Sequence, residues 1–296
     1  MQRRKGTLGL VLLTLFMFVF SSFYIVSIYS AYRVSPMYKV KTTRRRLEKV
    51  ARALYAYASE TVSGAQQPYI KRNRFPDSLD TLVALGYITK DDLYDGWRRK
   101  IQYYTINNPS ASGSCLYSLV QSGAEPVAVV VSLGADGVLN SNPSAQVQAG
   151  DDLMVRVGLA SLSNGEYANF SKEMEYWAQM ISNYWLINWY NTCVNTDTPD
   201  TNACCDPTKS SSCQGPATLF PADIDEAARI IYGSTSDSAR MVDLTGNRVS
   251  YVVTGFSVDT SQPRDKQLEE IFGFRFDTSC PNTSFTFHIP ESVWRY

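Results

Sequence analysis

The sequence predicts an α+β fold. A long N-terminal helix, transmembrane and then amphipathic, packs on a small antiparallel sheet, and an additional disulfide-rich α+β domain follows at the C-terminal end. Three observations predict it. Residues Thr7–Tyr32 carry no charged side chain. Leu47, Val50, Leu54, Tyr57, Ala58 and Val62 recur at helical spacing, which gives one apolar face. Of six cysteines, five lie between Cys193 and Cys280. The expected organisation is a basic leader (1–6), a membrane helix (7–32), its amphipathic continuation (33–64), a first head (65–160) and a Cys-rich domain (161–296).

The 296 residues hold 28 Lys+Arg against 28 Asp+Glu, but the zero average hides a split. Residues 1–46 contain nine basic groups and no acid, which leaves the rest with 19 basic and 28 acidic groups. With 44% apolar and 12% aromatic residues the chain is not disordered throughout. No overall basic excess points to nucleic acid. One histidine, His288, argues against a His-based catalytic or metal site.

Leu8–Tyr29 is apolar throughout and as a helix would be ~33 Å long, against a hydrocarbon core of ~30 Å. A buried core helix and a cleaved secretory signal are the alternatives. A signal needs small residues at −3 and −1 of the cut; cleavage after Ser30 or Ala31 places Ile28 or Tyr29 at −3, so a retained anchor is favoured. Arg3, Arg4 and Lys5 favour a cytoplasmic N-terminus, whereas six basic residues between Arg33 and Arg46 pull the other way. The cysteines decide for an oxidising compartment outside the cytoplasm. The helix is expected to run from Thr7 to Ser63, kinked or interrupted at Pro36 and stopped by Gly64.

In the first head, Asp77 is placed to cap a short helix ending at Gly86. Lys100–Ile106, Cys115–Val120 and Val127–Leu133 read as three antiparallel strands. Asp136, Asp151 and Asp152 flank the charge-free stretch 141–150, and such carboxylates plus loop carbonyls suit calcium. The competing reading is turn-forming aspartates bonded to local backbone. Asn195, Asp197, Asp200, Asn202 and Asp206 form a second polar loop without EF-hand spacing, read as solvated.

In the C-terminal region, Glu166–Tyr190 reads as an amphipathic helix with Phe170, Met174, Trp177, Ile181, Tyr184 and Trp185 on one side, a stripe that suits a core. Pro221–Tyr232 and Asp265–Phe272 are shorter helices closed by Gly233 and Gly273. Val249–Val258 and Ser284–Ile289 alternate like strands. Cys115, Cys193, Cys204, Cys205, Cys213 and Cys280 are read as disulfides, with the pairing left open among 15 connectivities; adjacent Cys204 and Cys205 tie different segments. Zinc is the competing use, but the spacings do not make two CxxC pairs. No Gly-rich phosphate loop, G-x-S-x-G elbow or paired-His motif occurs, so the chain is not expected to be an enzyme.

Arg4-Lys5-Gly6 followed by Thr7-Leu8-Gly9-Leu10-Val11-Leu12-Leu13 resembles a type IV prepilin leader. The resemblance implies cleavage between Gly6 and Thr7. Thr7 stands where the family usually has Phe, and Val11 where most members carry Glu, which implies a minor subunit near the tip. Phe75-Pro76-Asp77-Ser78-Leu79, Gly86-Tyr87-Ile88, Asp95-Gly96-Trp97, Tyr103-Tyr104, Ser132-Leu133-Gly134-Ala135-Asp136-Gly137 and Asp151-Asp152 resemble, in order, the head of a type II secretion pseudopilin. That stretch, about residues 70–160, together with the N-terminal helix spans about half the chain. The resemblance implies calcium at Asp136, Asp151 and Asp152 and a non-catalytic role. It implies as partners other pilin or pseudopilin subunits, the inner membrane, prepilin peptidase and assembly-platform proteins. It places the chain in the inner membrane as a single-pass protein, N-terminus in the cytoplasm, head in the periplasm or outside, assembled into a fibre. Alternatives are a major secretion pseudopilin with an accessory domain, an uncleaved, membrane-anchored ligand-binding protein and an anchored, carboxylate-based hydrolase.

Overall fold

The computed structural model describes residues 13–27, 35–65, 67–205, 215–254 and 273–289. The chain forms two compact units. Unit 1 comprises Met1–Tyr57, Phe75–Ile106 and Val127–Val157; unit 2 comprises Ala58–Arg74, Asn107–Pro126 and Gly158–Tyr296. Both mix helices with a small three-stranded sheet.

Unit 1 contains helix α1 over residues 13–27, α2 (Pro36–Ser59, whose last residues belong to unit 2) and α3 (Leu79–Ala84), with strands β1 (Gln102–Ile106), β2 (Val127–Ser132) and most of β3 (Leu153–Gly158). No helix among the described residues is long and apolar enough to cross a membrane. The described residues 13–27 account for ~22 Å at 1.5 Å per residue, against a core of ~30 Å. The expectation of a single-pass inner-membrane anchor, and with it a transmembrane first helix, is therefore corrected. The proposed leader, its Gly6–Thr7 junction and the ends of the Leu8–Tyr29 run lie outside the described residues.

Helix α2 starts at Pro36, whose fixed φ suits a first turn. It buries Leu47, Val50 and Leu54, the face that the spacing predicts. It stops at Ser59, earlier than the expected Ser63, because the chain there takes up sheet-like pairing instead: Thr61 bridges Lys71, and Val62 N–H donates to the Ile70 carbonyl at 3.0 Å. The short helix expected after Asp77 is α3, with Ser78 rather than Asp77 at the N-cap position. Strand β2 lies between β1 and β3, and all six of its residues are buried. It pairs antiparallel with β1, Tyr103 opposite Val130.

The second expected strand, Cys115–Val120, is instead helix α4 (Leu116–Gln121), and the sheet is completed by β3. The run Leu-Tyr-Ser-Leu-Val-Gln is too short for its period to decide between strand and helix. Its tertiary setting selects the helix: Leu116 is buried, and Gly123, at φ 77°, turns the chain out.

Unit 2 is built on α5 (Ala160–Trp189), longer at its N-terminal end than expected. Phe170, Met174, Trp177, Ile181, Trp185 and Trp189 are buried along it. They pack with Ala227, Ala228 and Ile231 of α6 (Ile224–Tyr232) and with Phe274 and Phe276 of the second sheet. That sheet runs β4 (Ser250–Thr254), β5 (Gly273–Ser279), β6 (Asn282–His288), both pairs antiparallel. Helix α6 is capped by Asp223, whose carboxylate accepts from Asp225 and Glu226 N–H, and ends at Gly233 in the left-handed region. The expected helix Asp265–Phe272 and the end of the Val249–Val258 strand lie outside the described residues.

Two disulfides between described residues staple unit 2. Cys115–Cys280 spans 165 residues of sequence and Cys193–Cys204 spans 11. In the chain-entropy view the longer loop contributes more, ~5 against ~3 kcal/mol. No cysteine among the described residues is free. Cys213 and Asp206 lie outside them.

The turn Asp95-Gly96-Trp97 sits directly on α2. Gly96 N–H donates to Thr43 Oγ1 at 2.8 Å, and the Arg46 guanidinium donates to the carbonyls of Tyr94 and Asp95 at 2.8 and 3.0 Å. A Cβ at Gly96 would collide with the Lys39 carbonyl oxygen, a backbone atom with nowhere to go. Gly96→Ala is expected to lower the stability of the full chain by about 1–3 kcal/mol, by overpacking. Thermal unfolding followed by circular dichroism checks this; an unchanged transition means that the turn and helix separate without loss.

Candidate functional site

The residues that the sequence singles out in unit 1 gather around one buried carboxylate. Asp95 is 1% exposed. Its Oδ1 accepts N–H groups from Trp97 at 2.8 Å and Arg99 at 2.9 Å, and its Oδ2 accepts the Ser132 hydroxyl at 2.8 Å. The turn between Tyr94 and β1 is thereby fixed to the end of β2. Arg99 carries the connection further: its guanidinium donates to the carbonyls of Gly134 at 2.8 Å and Ala135 at 3.0 Å. Gly137 lies so close to that guanidinium that a side chain would meet it.

This places the acidic loop. Asp136, Asp151 and Asp152 are brought into one hydrogen-bonded loop, and each carboxylate accepts from backbone N–H groups. Asp151 Oδ2 accepts from Ala135 and, at 3.1 Å, from Asp136. Asp136 Oδ1 accepts from Val138 N at 2.8 Å, and its Oδ2 accepts the Asn140 side-chain amide at 3.1 Å. Asp152, 1% exposed, accepts from the N–H groups of Asn140 at 2.8 Å and Ser141 at 2.7 Å through Oδ2. Its Oδ1 is buried with no hydrogen-bond partner. The expectation of aspartates that fold their own loop thus has a geometry. Among the described residues no group of three or more His, Cys, Asp or Glu is arranged to hold a metal ion. The oxygen available for one is Asp152 Oδ1.

In the second polar loop, Asp200 Oδ1 accepts from Asn202 and Ala203 N–H, while Asp197 is exposed. His288 is on β6 and exposed.

A cleft of about 820 Å³ adjoins the Asp95 turn, lined by Tyr38, Lys39, Arg46, Tyr94, Trp97 and Arg98 among others. It mixes aromatic side chains with three cations, Lys39, Arg46 and Arg98, and two acids, Asp91 and Asp95. Sequence reasoning did not single out Asp95 as a buried hub. It also missed Asp243, fully buried, whose carboxylate accepts from Thr245, Asn247, Ser279 and Cys280. The available signal was the turn chemistry of D-G and D-L-T-G-N, in which an aspartate folds the backbone after it.

No family model matches the chain, and no curated protein or solved structure matches it significantly.

The Asp151 carboxyl is held below the usual carboxylate range, first by the Ala135 N–H and then by that of Asp136. Its contribution is therefore present at neutral pH and is lost as pH falls through and below the ordinary carboxylate range. Hydrogen exchange of the Ala135 and Asp136 amides reads it. At neutral pH, Asp151→Ala is expected to abolish their protection and Asp151→Asn to keep part of it. Protection that survives the alanine change means that Arg99 alone holds the loop.

Proposed function

We propose that the chain is a non-catalytic, pilin-like assembly subunit of a type IV pilus or a type II secretion pseudopilus, minor and close to the tip. The observation that carries this reading is α1. Eleven of its fifteen described residues are apolar or aromatic, and they stand open to solvent in the single chain, Phe18 and Phe23 at 74% exposure. A continuous apolar surface of this kind needs a cover from another molecule. In a fibre, the equivalent helices of neighbouring subunits supply it through head-to-tail contacts that do not close on themselves. Helix α2, its Asp95 turn and the three-stranded sheet then form the head that the stem presents. The partners in this reading are other pilin or pseudopilin subunits, prepilin peptidase and assembly-platform proteins. Val11, where most members of that family carry Glu, supports the tip position.

Mass spectrometry of the N-terminus in native cells tests the reading. A mature chain beginning at Thr7 is expected, its formation dependent on prepilin peptidase. An intact Met1 that is indifferent to the peptidase overturns it.

Calcium belongs to the same reading. Support comes from Asp152 Oδ1, a buried carboxylate oxygen without a donor, in a loop that also carries Asp136 and Asp151. Chelation is expected to lower the melting temperature and added calcium to restore it; a transition indifferent to both removes calcium from the proposal.

A further inference from the structure

Asn73 and Glu166 meet in the interior of unit 2. Asn73 is fully buried, in the left-handed region at φ 57°, and Glu166 is 3% exposed. The Asn73 amide donates to Glu166 Oε2 at 3.3 Å and to the Ser114 carbonyl at 3.1 Å. Each side chain therefore has one oxygen or nitrogen in use. The other halves are not used: Asn73 Oδ1 and Glu166 Oε1 are both buried with no hydrogen-bond partner. Ser163 Oγ, one turn earlier on α5, is in the same state.

A carboxylate cannot satisfy these atoms, because it only accepts. A carboxylic acid brings the one group that is missing, an O–H donor. An acid and a primary amide are complementary on both sides: the amide N–H donates to one acid oxygen, and the acid O–H donates to the amide oxygen. The Asn73–Glu166 pair already makes the first of these bonds, and the two unused atoms are those that the second would join.

We propose that Glu166 keeps its proton in the folded chain and uses it to close an acid–amide clasp with Asn73. The clasp ties α5 to the segment 58–74 and, through Ser114, to the residue before the Cys115–Cys280 disulfide. Loss of the proton opens it and leaves a buried charge facing an acceptor. Burial pushes the Glu166 carboxyl up to about 8, against the opposing pull of the Asn73 amide and of Lys71. Lys71 is the charged group acting on it from the neighbouring segment. The other cations there are engaged elsewhere, Arg72 with Glu60 at 2.5 Å and Arg74 with the Ser110 carbonyl at 2.6 Å. Helix α4, packed on α5, brings one titratable group, Tyr117, whose ring stacks on Tyr167.

The sign of the effect is fixed. From the ordinary carboxylate range up to about 8 the folded chain holds a proton that the unfolded chain has released. Stability from this group therefore falls as pH rises across that interval and levels off above it. The test uses the full chain, kept in mild detergent because α1 is apolar and exposed. Carbon-13 NMR of the Glu166 side-chain carboxyl is expected to titrate near 8. The melting temperature is expected to drop by roughly 5–10 °C between about pH 5 and about pH 9, beyond any drop in Glu166→Gln. Glu166→Gln supplies a permanent donor in place of the acid proton and is expected to remove that part of the slope while matching the wild type at the acid end. A Glu166 carboxyl that titrates in the ordinary range overturns the proposal, as does a Glu166→Gln slope equal to the wild type. Should that variant not fold, the wild-type titration decides by itself.

Discussion

The buried Asp95 carboxylate is the constraint on which unit 1 depends. A carboxylate taken out of water is tolerable only when donors replace the solvent it loses. Asp95 obtains three, from Trp97, Arg99 and Ser132. Satisfying it folds the backbone of its own turn, sets that turn against the end of β2, and aims Arg99 at Gly134 and Ala135. The same turn brings Gly96 close enough to α2 to bond Thr43, so the position tolerates no side chain. The sheet, the helix and the acidic loop thus share one origin. A neutral replacement at Asp95 would affect elements that are far apart in sequence.

The acidic loop repeats the device at the surface. Its aspartates spend their oxygens on the N–H groups of Ala135, Asp136, Val138, Asn140 and Ser141, which a stretch of small and polar residues leaves without helical or strand partners. The loop holds its shape from within. Asp152 Oδ1 is the exception, and it makes the loop's interior electrostatically unfinished.

Much of this was legible in the sequence where a pattern was long enough to express one period. The apolar face of α2, the aromatic stripe of α5, the Gly233 stop of α6 and the valine-rich β2 all follow from spacing and composition, whereas α6 starts at Ile224 behind Asp223 and not at the expected Pro221. The disulfide role of the cysteines was legible too, though not that Cys115 reaches Cys280. Where the segment was short, the sequence was ambiguous. Leu116–Gln121 has six residues, and its helical state comes from the burial of Leu116 and the turn at Gly123. The apolar N-terminal run is a different case: no helix among the described residues is long and apolar enough to cross a bilayer, so a pattern of hydropathy alone did not establish a span. Asp95 and Glu166 were invisible as buried groups because an acid's burial is decided by partners distant in sequence, Ser132 for one and Asn73 for the other.

The two buried acids also show why burial alone does not fix how a carboxyl is bonded. Asp95 and Glu166 are almost equally hidden from water, yet their surroundings differ in kind. Asp95 is met by donors on both of its oxygens. Glu166 is met by one amide whose acceptor end is left open, so the charged form faces an unsatisfied oxygen and the neutral form does not. The number of donors aimed at the carboxyl separates the two cases. Asp152 has two donors on one oxygen and none on the other, and it is at that second oxygen that a cation would change the loop most.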